Sequence, residues 1–223
     1  MKDGVKPRRA YNSPRRQQQA AATRALILEA ARRLFERQGY PATTMEAIAA
    51  EAGVSLKTVY LAFTTKAGLL RALWDLLLKG DQEVAPVAER PWYRAVMEEP
   101  DPERKLRMVA AGSVAVKTRI GGILRVIRSG APVDGDTAAL WALIQSDFHA
   151  NQRAILESLP PRSLRDGLDV DTATDILWTL NNPDVWLLLH DDRGWSPERF
   201  ERWFGDAIVE QLLRRDRSSR PMT

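Results

Sequence analysis

Residues 50–66, AEAGVSLKTVYLAFTTK, gather hydroxyl and ammonium donors around a glycine: Ser55, Lys57, Thr58, Tyr60 and Lys66 follow Gly53. Donors of this kind bond base edges and phosphate oxygens, and a helix that carries them near its N-terminus suits the major groove of a nucleic acid. The positions between them obey a packing rule. Ile48, Ala52, Val54 and Val59 are apolar where two short helices must meet across a tight turn, Ala49 is small where they cross, and Gly53 supplies a left-handed conformation. The pattern is a helix-turn-helix over residues 44–63, with Ser55, Leu56, Lys57, Thr58, Tyr60 and Leu61 on the open side of its second helix. A helical hairpin that only packs, with Ser55 a cap and Lys57 a solvated charge, would satisfy the apolar spacing alone.

Catalytic chemistry is poorly represented. The chain has no Cys, which excludes disulfides, thiolate nucleophiles and thiolate metal sites. Its two histidines, His149 near Asp147 and His190 beside Asp191 and Asp192, lack a third partner at a diagnostic spacing. No enzymatic activity, metal or cofactor is expected.

Helical periodicity surrounds the motif. In residues 23–40, TRALILEAARRLFERQGY, Leu26, Ile27, Ala30, Ala31, Leu34 and Phe35 recur at helical spacing, with Thr23 as a cap and Gly39 as a stop. Thr43 or Thr44 caps a short helix through Ala52, with Glu46 in the first turn where the helix dipole favours a carboxylate. Ser55 caps the next, which ends at Ala62 or Phe63, and a fourth from Lys66 to Lys79 carries Leu69, Leu70, Leu73, Trp74, Leu77 and Leu78. Four prolines make residues 83–103 a linker with at most a short helix at Trp92–Met97. Asp101 and Pro102 open a long helix that should end near Val116–Thr118, and Gly121 with Gly122 predicts a break before a shorter helix over Ile123–Arg128. A helix over Thr137–Leu159 follows. Asp171 then caps a helix that Pro183 kinks, and Ser196, Pro197 and Glu198 open the last one. No segment alternates with period two, so the fold class is all-α, with about nine helices.

Charge divides the chain. Residues 1–79 hold 14 Lys and Arg against 6 Asp and Glu, whereas residues 80–223 hold 19 against 23. A basic N-terminal third is expected if only that part meets a polyanion. Residues 1–20, rich in Arg, Gln and Pro, are expected to be a disordered basic tail, and residues 217–223 a flexible one. Neither an apolar leader nor a membrane-length apolar run is present, so a cytoplasmic protein with no membrane partner is expected.

The stretch Thr23 to Leu78 resembles the DNA-binding domain of TetR-family transcriptional regulators. The likeness lies in a first helix ending in Gly39 and Tyr40, the run TTMEAIAAEAGVS at 43–55 and TVYLAFTTKAGLL at 58–70. Thr44, Ala49, Gly53, Val54, Ser55, Thr58, Val59, Tyr60, Phe63, Lys66 and Leu69 fit the family pattern. Two positions depart from it: Ala62 stands where His is frequent, and Lys57, where Gly is common, adds a positive charge to the recognition helix. The resemblance implies an N-terminal domain at 21–81 and a larger helical ligand-binding and dimerisation domain at 82–216. It makes Thr44 and Lys66 phosphate contacts and Ser55, Leu56, Lys57, Thr58 and Tyr60 groove and backbone contacts, with Arg24, Arg15 and Arg16 extending the footprint.

It also implies a homodimer on a double-stranded operator, most simply a repressor released by a small-molecule effector. Leu177, Leu180, Trp186, Leu187, Trp203, Phe204, Ile208 and Leu212, on the last two long helices, are the expected dimer seam. Trp141, Gln145, Phe148, His149, Trp178, Asn181 and Asn182 are the expected effector pocket, a mix of aromatic walls and polar groups. The alternative is a small-molecule-binding or scaffolding helical dimer without DNA affinity, which predicts a neutral recognition helix instead of one bearing Lys57.

Overall fold

The computed structural model describes residues 14–79 and 91–214. The described residues are helical throughout, apart from connecting turns and one isolated bridge between Leu164 and Leu213. The first helix, α1 (Pro14–Ala42), begins well before Thr23. Residues 14–20 are therefore helical and not part of a disordered tail, because the run QQQAAA at 17–22 propagates a helix readily; residues 1–13 lie outside the described residues. Gly39 leaves helical geometry at φ 77° before a last turn over Pro41.

Next come α2 (Met45–Ala52), α3 (Leu56–Ala62) and α4 (Lys66–Lys79). The Thr44 hydroxyl caps α2 by accepting the Ala47 N–H at 3.1 Å, and Gly53 closes it at φ 66°. After α5 (Pro91–Glu98), Asp101 caps α6 (Pro102–Gly130), a single helix of 29 residues. The break expected at Gly121 and Gly122 is absent. A Cβ on Gly121 would meet Trp186 at an ordinary 3.5 Å and one on Gly122 would meet the flexible Glu36 side chain of α1 at 2.7 Å, whereas one on Gly130 would lie 2.8 Å from the Tyr40 ring.

Asp134 caps α7 (Gly135–Glu157), and Asp169, not Asp171, caps α8 (Val170–Leu180). Pro183 divides the expected kinked helix into α8 and the short α9 (Pro183–Leu187), which runs into a π-helical turn at Leu188–Asp192. Ser196 caps α10 (Pro197–Leu212).

Helix α6 is the axis of the molecule, packed against α1, α4, α5, α7, α9 and α10. One apolar cluster joins Ile27, Phe35, Ile48, Val59, Phe63, Leu69 and Leu73 to Ile123, Ile127, Leu140 and Ile144. The N-terminal helices thus share their core with α6 and α7, although the charge balance changes between them. A second cluster holds Leu106, Ala110, Val114, Leu177, Trp186, Phe200, Phe204, Ile208 and Leu212.

That second cluster corrects the expected dimer seam. Leu177, Trp186, Phe204, Ile208 and Leu212 are buried within this one chain, and Leu187 nearly so, because α6 lies beneath α8 to α10 and needs apolar partners of its own. Leu180 and Trp203 remain half-buried. Among the described residues no helix is long and apolar enough to cross a membrane.

Candidate nucleic-acid interface and ligand cavity

The recognition surface is built by caps. The Ser55 hydroxyl accepts the Thr58 N–H at 3.1 Å and lies 2.7 Å from the Thr58 hydroxyl, so both donors stand fixed at the N-terminus of α3. Val59 and Phe63 anchor the opposite side in the core. Lys57 is exposed, as are Tyr60 at 48 % and Leu61 at 79 %, while Leu56 packs partly against the core. Thr44 is exposed at the start of α2. Thr44 and Ser55 mark the N-termini of α2 and α3, where first-turn N–H groups lack helical partners, an arrangement suited to phosphate.

Two of the expected contacts do other work. Lys66 Nζ donates to the Tyr40 and Thr43 carbonyl oxygens, both at 2.9 Å, and sits 4.1 Å from the Tyr40 ring centre. Desolvation by its surroundings pulls its pKa below the ordinary lysine value, with Asp134 acting in the opposite sense. Lys66 is a strut that ties α4 to the end of α1. Arg24 donates to the Ala62 carbonyl at 2.7 Å with its guanidinium 3.9 Å from the Phe63 ring centre. Placed there, it caps the negative end of α3 and holds the recognition helix from behind.

A cavity of about 450 Å³ lies between α4, α5, α6 and α7. Trp74, Leu78, Tyr93, Val109, Ile120 and Leu124 supply apolar walls, and Ser113, Lys117, Gln145 and Gln152 supply polar points. Arg71, Trp74, Asp75 and Leu78 come from α4, the helix that also carries Leu69, Leu70 and Leu73 into the core beneath α3. Arg119 of α6 donates to the Leu77 and Leu78 carbonyl oxygens at 2.7 and 3.2 Å, clamping the end of α4.

The model of the bacterial regulatory proteins of the tetR family matches residues 27–73, the helices that build this surface. Over 186 residues, 79 % of this chain and 86 % of the relative, the sequence is 30 % identical to the probable HTH-type transcriptional regulator ArpR of Pseudomonas putida. The chain belongs to the TetR family. It is a DNA-binding transcriptional regulator of the helix-turn-helix type. The fold is also that of NalD, the secondary repressor of the MexAB-OprM multidrug efflux pump in Pseudomonas aeruginosa, at 22 % identity and a TM-score of 0.66 over 88 % of this chain and 98 % of NalD. SmeT, solved as a triclosan complex, matches at 20 % identity and 0.63 over 91 % and 96 %.

Within this TetR-family frame, the expected pocket residues scatter. Gln145 and Phe148 line the cavity. His149 instead lies 3.3 Å from Asp175 and meets the Trp178 ring edge-on, with ring centres 6.3 Å apart, so both belong to the packing of α7 on α8. Trp141 packs against the N-terminal core, and Asn182 caps α9. Asn181 is buried behind the cavity wall. Helical projection placed these residues near one another, but the cavity opens on the other side of α7, toward α4 and α5.

Sequence reasoning missed Lys117. It stands on the α6 stripe Ala110, Val114, Lys117, Gly121 and Leu124, where every other member is apolar and buried. A lone charge in such a stripe was the available signal. Burial lowers its pKa to about 7.

Proposed function

We propose that this regulator is a ligand-responsive repressor that binds its operator as a homodimer, reading the major groove with α3. The carrying observation is the capped set of exposed Ser55, Lys57 and Tyr60 with the half-buried Thr58 on a helix braced by Arg24 and by the core. Thr44 at the α2 terminus adds a backbone contact, and Lys57 contributes a charge that a neutral recognition helix would lack. Residues 21–81 serve as the DNA-reading part and residues 82–216 as the ligand and dimer part. Leu180 and Trp203, half-buried on α8 and α10, mark the seam with the second copy, which must set two recognition helices about 34–36 Å apart to meet successive turns of DNA. Operator binding places the protein in the cytoplasm.

The effector acts through α4. One side of this helix walls the cavity while another enters the core that seats α3, so a ligand that displaces Trp74 or Leu78 shifts the recognition helix. A ligand that binds the displaced arrangement more tightly lowers operator affinity by that difference. NalD being a repressor and SmeT having been solved with triclosan support the two halves of this reading. Sequencing the DNA recovered with the purified protein, followed by gel shifts on that fragment, tests it. A discrete fragment that the protein retards and that Lys57→Ala binds more weakly is expected; recovery of DNA without sequence preference would refute it.

A further inference from the structure

Lys117 is only 4 % exposed, yet it reaches the cavity from the middle of α6. Its Nζ donates to Asn181 Oδ1, whose amide nitrogen donates in turn to Ser113 Oγ at 3.0 Å and Gln152 Oε1 at 3.3 Å. The Phe200 and Phe204 ring centres lie 5.7 and 5.5 Å from the ammonium on the far side. None of the ion pairs among the described residues includes Lys117, although the other buried lysine, Lys105, has a carbonyl at 3.1 Å from each of Met97 and Ser158 and the Ser158 hydroxyl at 2.8 Å. Of the charged groups that line the cavity, Arg71 and Asp75 pair with each other, and Asp147 stands exposed on α7. An ammonium so enclosed is strongly disfavoured unless an anion joins it. Its lowered pKa records that cost.

Resting on the reading of the cavity as an effector site, we infer that the effector is an apolar, aromatic-sized molecule bearing one acidic group, a carboxylate or phenolate, that docks on Lys117. Trp74, Tyr93, Ile120 and Leu124 enclose its body. Ser113 and Gln152, already oriented by Asn181, flank the acidic group, and Asn181 fixes the ammonium beside these two cavity-lining residues before the ligand arrives. A volume of about 450 Å³ lies within the usual range of small-molecule sites.

The inference is tested with an isosteric pair, 2-naphthoate and 2-naphthamide, titrated calorimetrically into the full-length protein at pH 6.5, alongside the neutral fluorescent probe N-phenyl-1-naphthylamine. The expected result is at least tenfold tighter binding of the acid by the wild type. Lys117→Met, matched in length and checked for folding by circular dichroism, should abolish that preference. Equal affinities for acid and amide in the wild type, a comparison that needs no variant, would overturn the inference, and so would an acid preference that survives in Lys117→Met. If N-phenyl-1-naphthylamine still binds in those cases, only the acidic class is wrong and the cavity remains a ligand site. If none of the three binds, the effector-site reading falls as well.

Discussion

The Lys66 ammonium donates to the Thr43 carbonyl oxygen at 2.9 Å, so the first residue of α4 holds the turn from which the Thr44 cap projects. This contact converts a surface charge of the motif into part of its frame. Lys66→Met leaves two backbone carbonyls without their charged donor. Unfolding in urea should show a loss of about 1–3 kcal/mol.

Lys57 differs from Lys66 in being exposed on α3 with its charge available to DNA. Lys57→Ala should leave stability within about 0.5 kcal/mol of the wild type and weaken operator binding several-fold. The slope of log affinity against log salt should fall by about 1, because one phosphate contact and its released counterion are lost. Lys66→Met should leave that slope unchanged, so filter binding at four salt concentrations separates the two lysines.

Two helical glycines of α6 should respond oppositely to alanine. At Gly130 a new Cβ meets the Tyr40 ring at 2.8 Å and Thr137 Cγ2 at 3.1 Å, and the ring stacks on Phe35, so it has little room to move. Gly130→Ala should cost about 1–3 kcal/mol by overpacking. At Gly122 the obstacle is the flexible Glu36 carboxylate, and the helix-propensity gain of about 1 kcal/mol should leave Gly122→Ala neutral or stabilised. Thermal melts read both.

Lys117 gives stability a pH dependence. Its folded pKa, about 7, lies below the unfolded value of 10.5, so between these limits the unfolded chain binds the extra proton and stability rises with pH. The penalty is complete below pH 7. Lys117→Met should therefore be more stable than the wild type at pH 6.5, with the advantage shrinking by up to about 1.4 kcal/mol per pH unit toward pH 9.5. Denaturant titrations at these two pH values measure it.

The aromatic residues of α10 should separate folding from assembly. Phe204 is buried against α6, and Phe204→Ala should cost about 3–5 kcal/mol. Trp203 is half-buried, and Trp203→Arg should convert the proposed dimer into a folded monomer with a wild-type circular dichroism spectrum, as read by sedimentation. Monomeric wild-type protein at micromolar concentration would remove the seam from the proposal.

Local chemistry made the N-terminal half readable. Thr44 and Ser55 as caps, Gly53 as a left-handed stop, and the buried positions Ile48, Val59 and Phe63 are determined by contacts within a few residues or across one tight turn, and each was visible in residue type and spacing. So were the all-α class, the Pro183 kink and the exposure of Lys57 and Tyr60. Contacts between residues far apart in the chain left weaker marks. Nothing local tells whether Gly121 and Gly122 break a helix or admit Glu36 and Trp186, or whether Lys66 faces a phosphate or the Tyr40 carbonyl.

The sequence by itself determined the all-α class, the capped helix-turn-helix over residues 44–63, and the family. The tertiary structure decided which apolar faces are already covered within one chain, since α6 takes Trp186, Phe204 and Ile208 that periodicity alone leaves available to a partner. It also decided which side of α7 opens on the cavity and that Lys117 reaches into it. Periodicity reports that a helix has a buried face, but only the packing of distant helices selects what buries it.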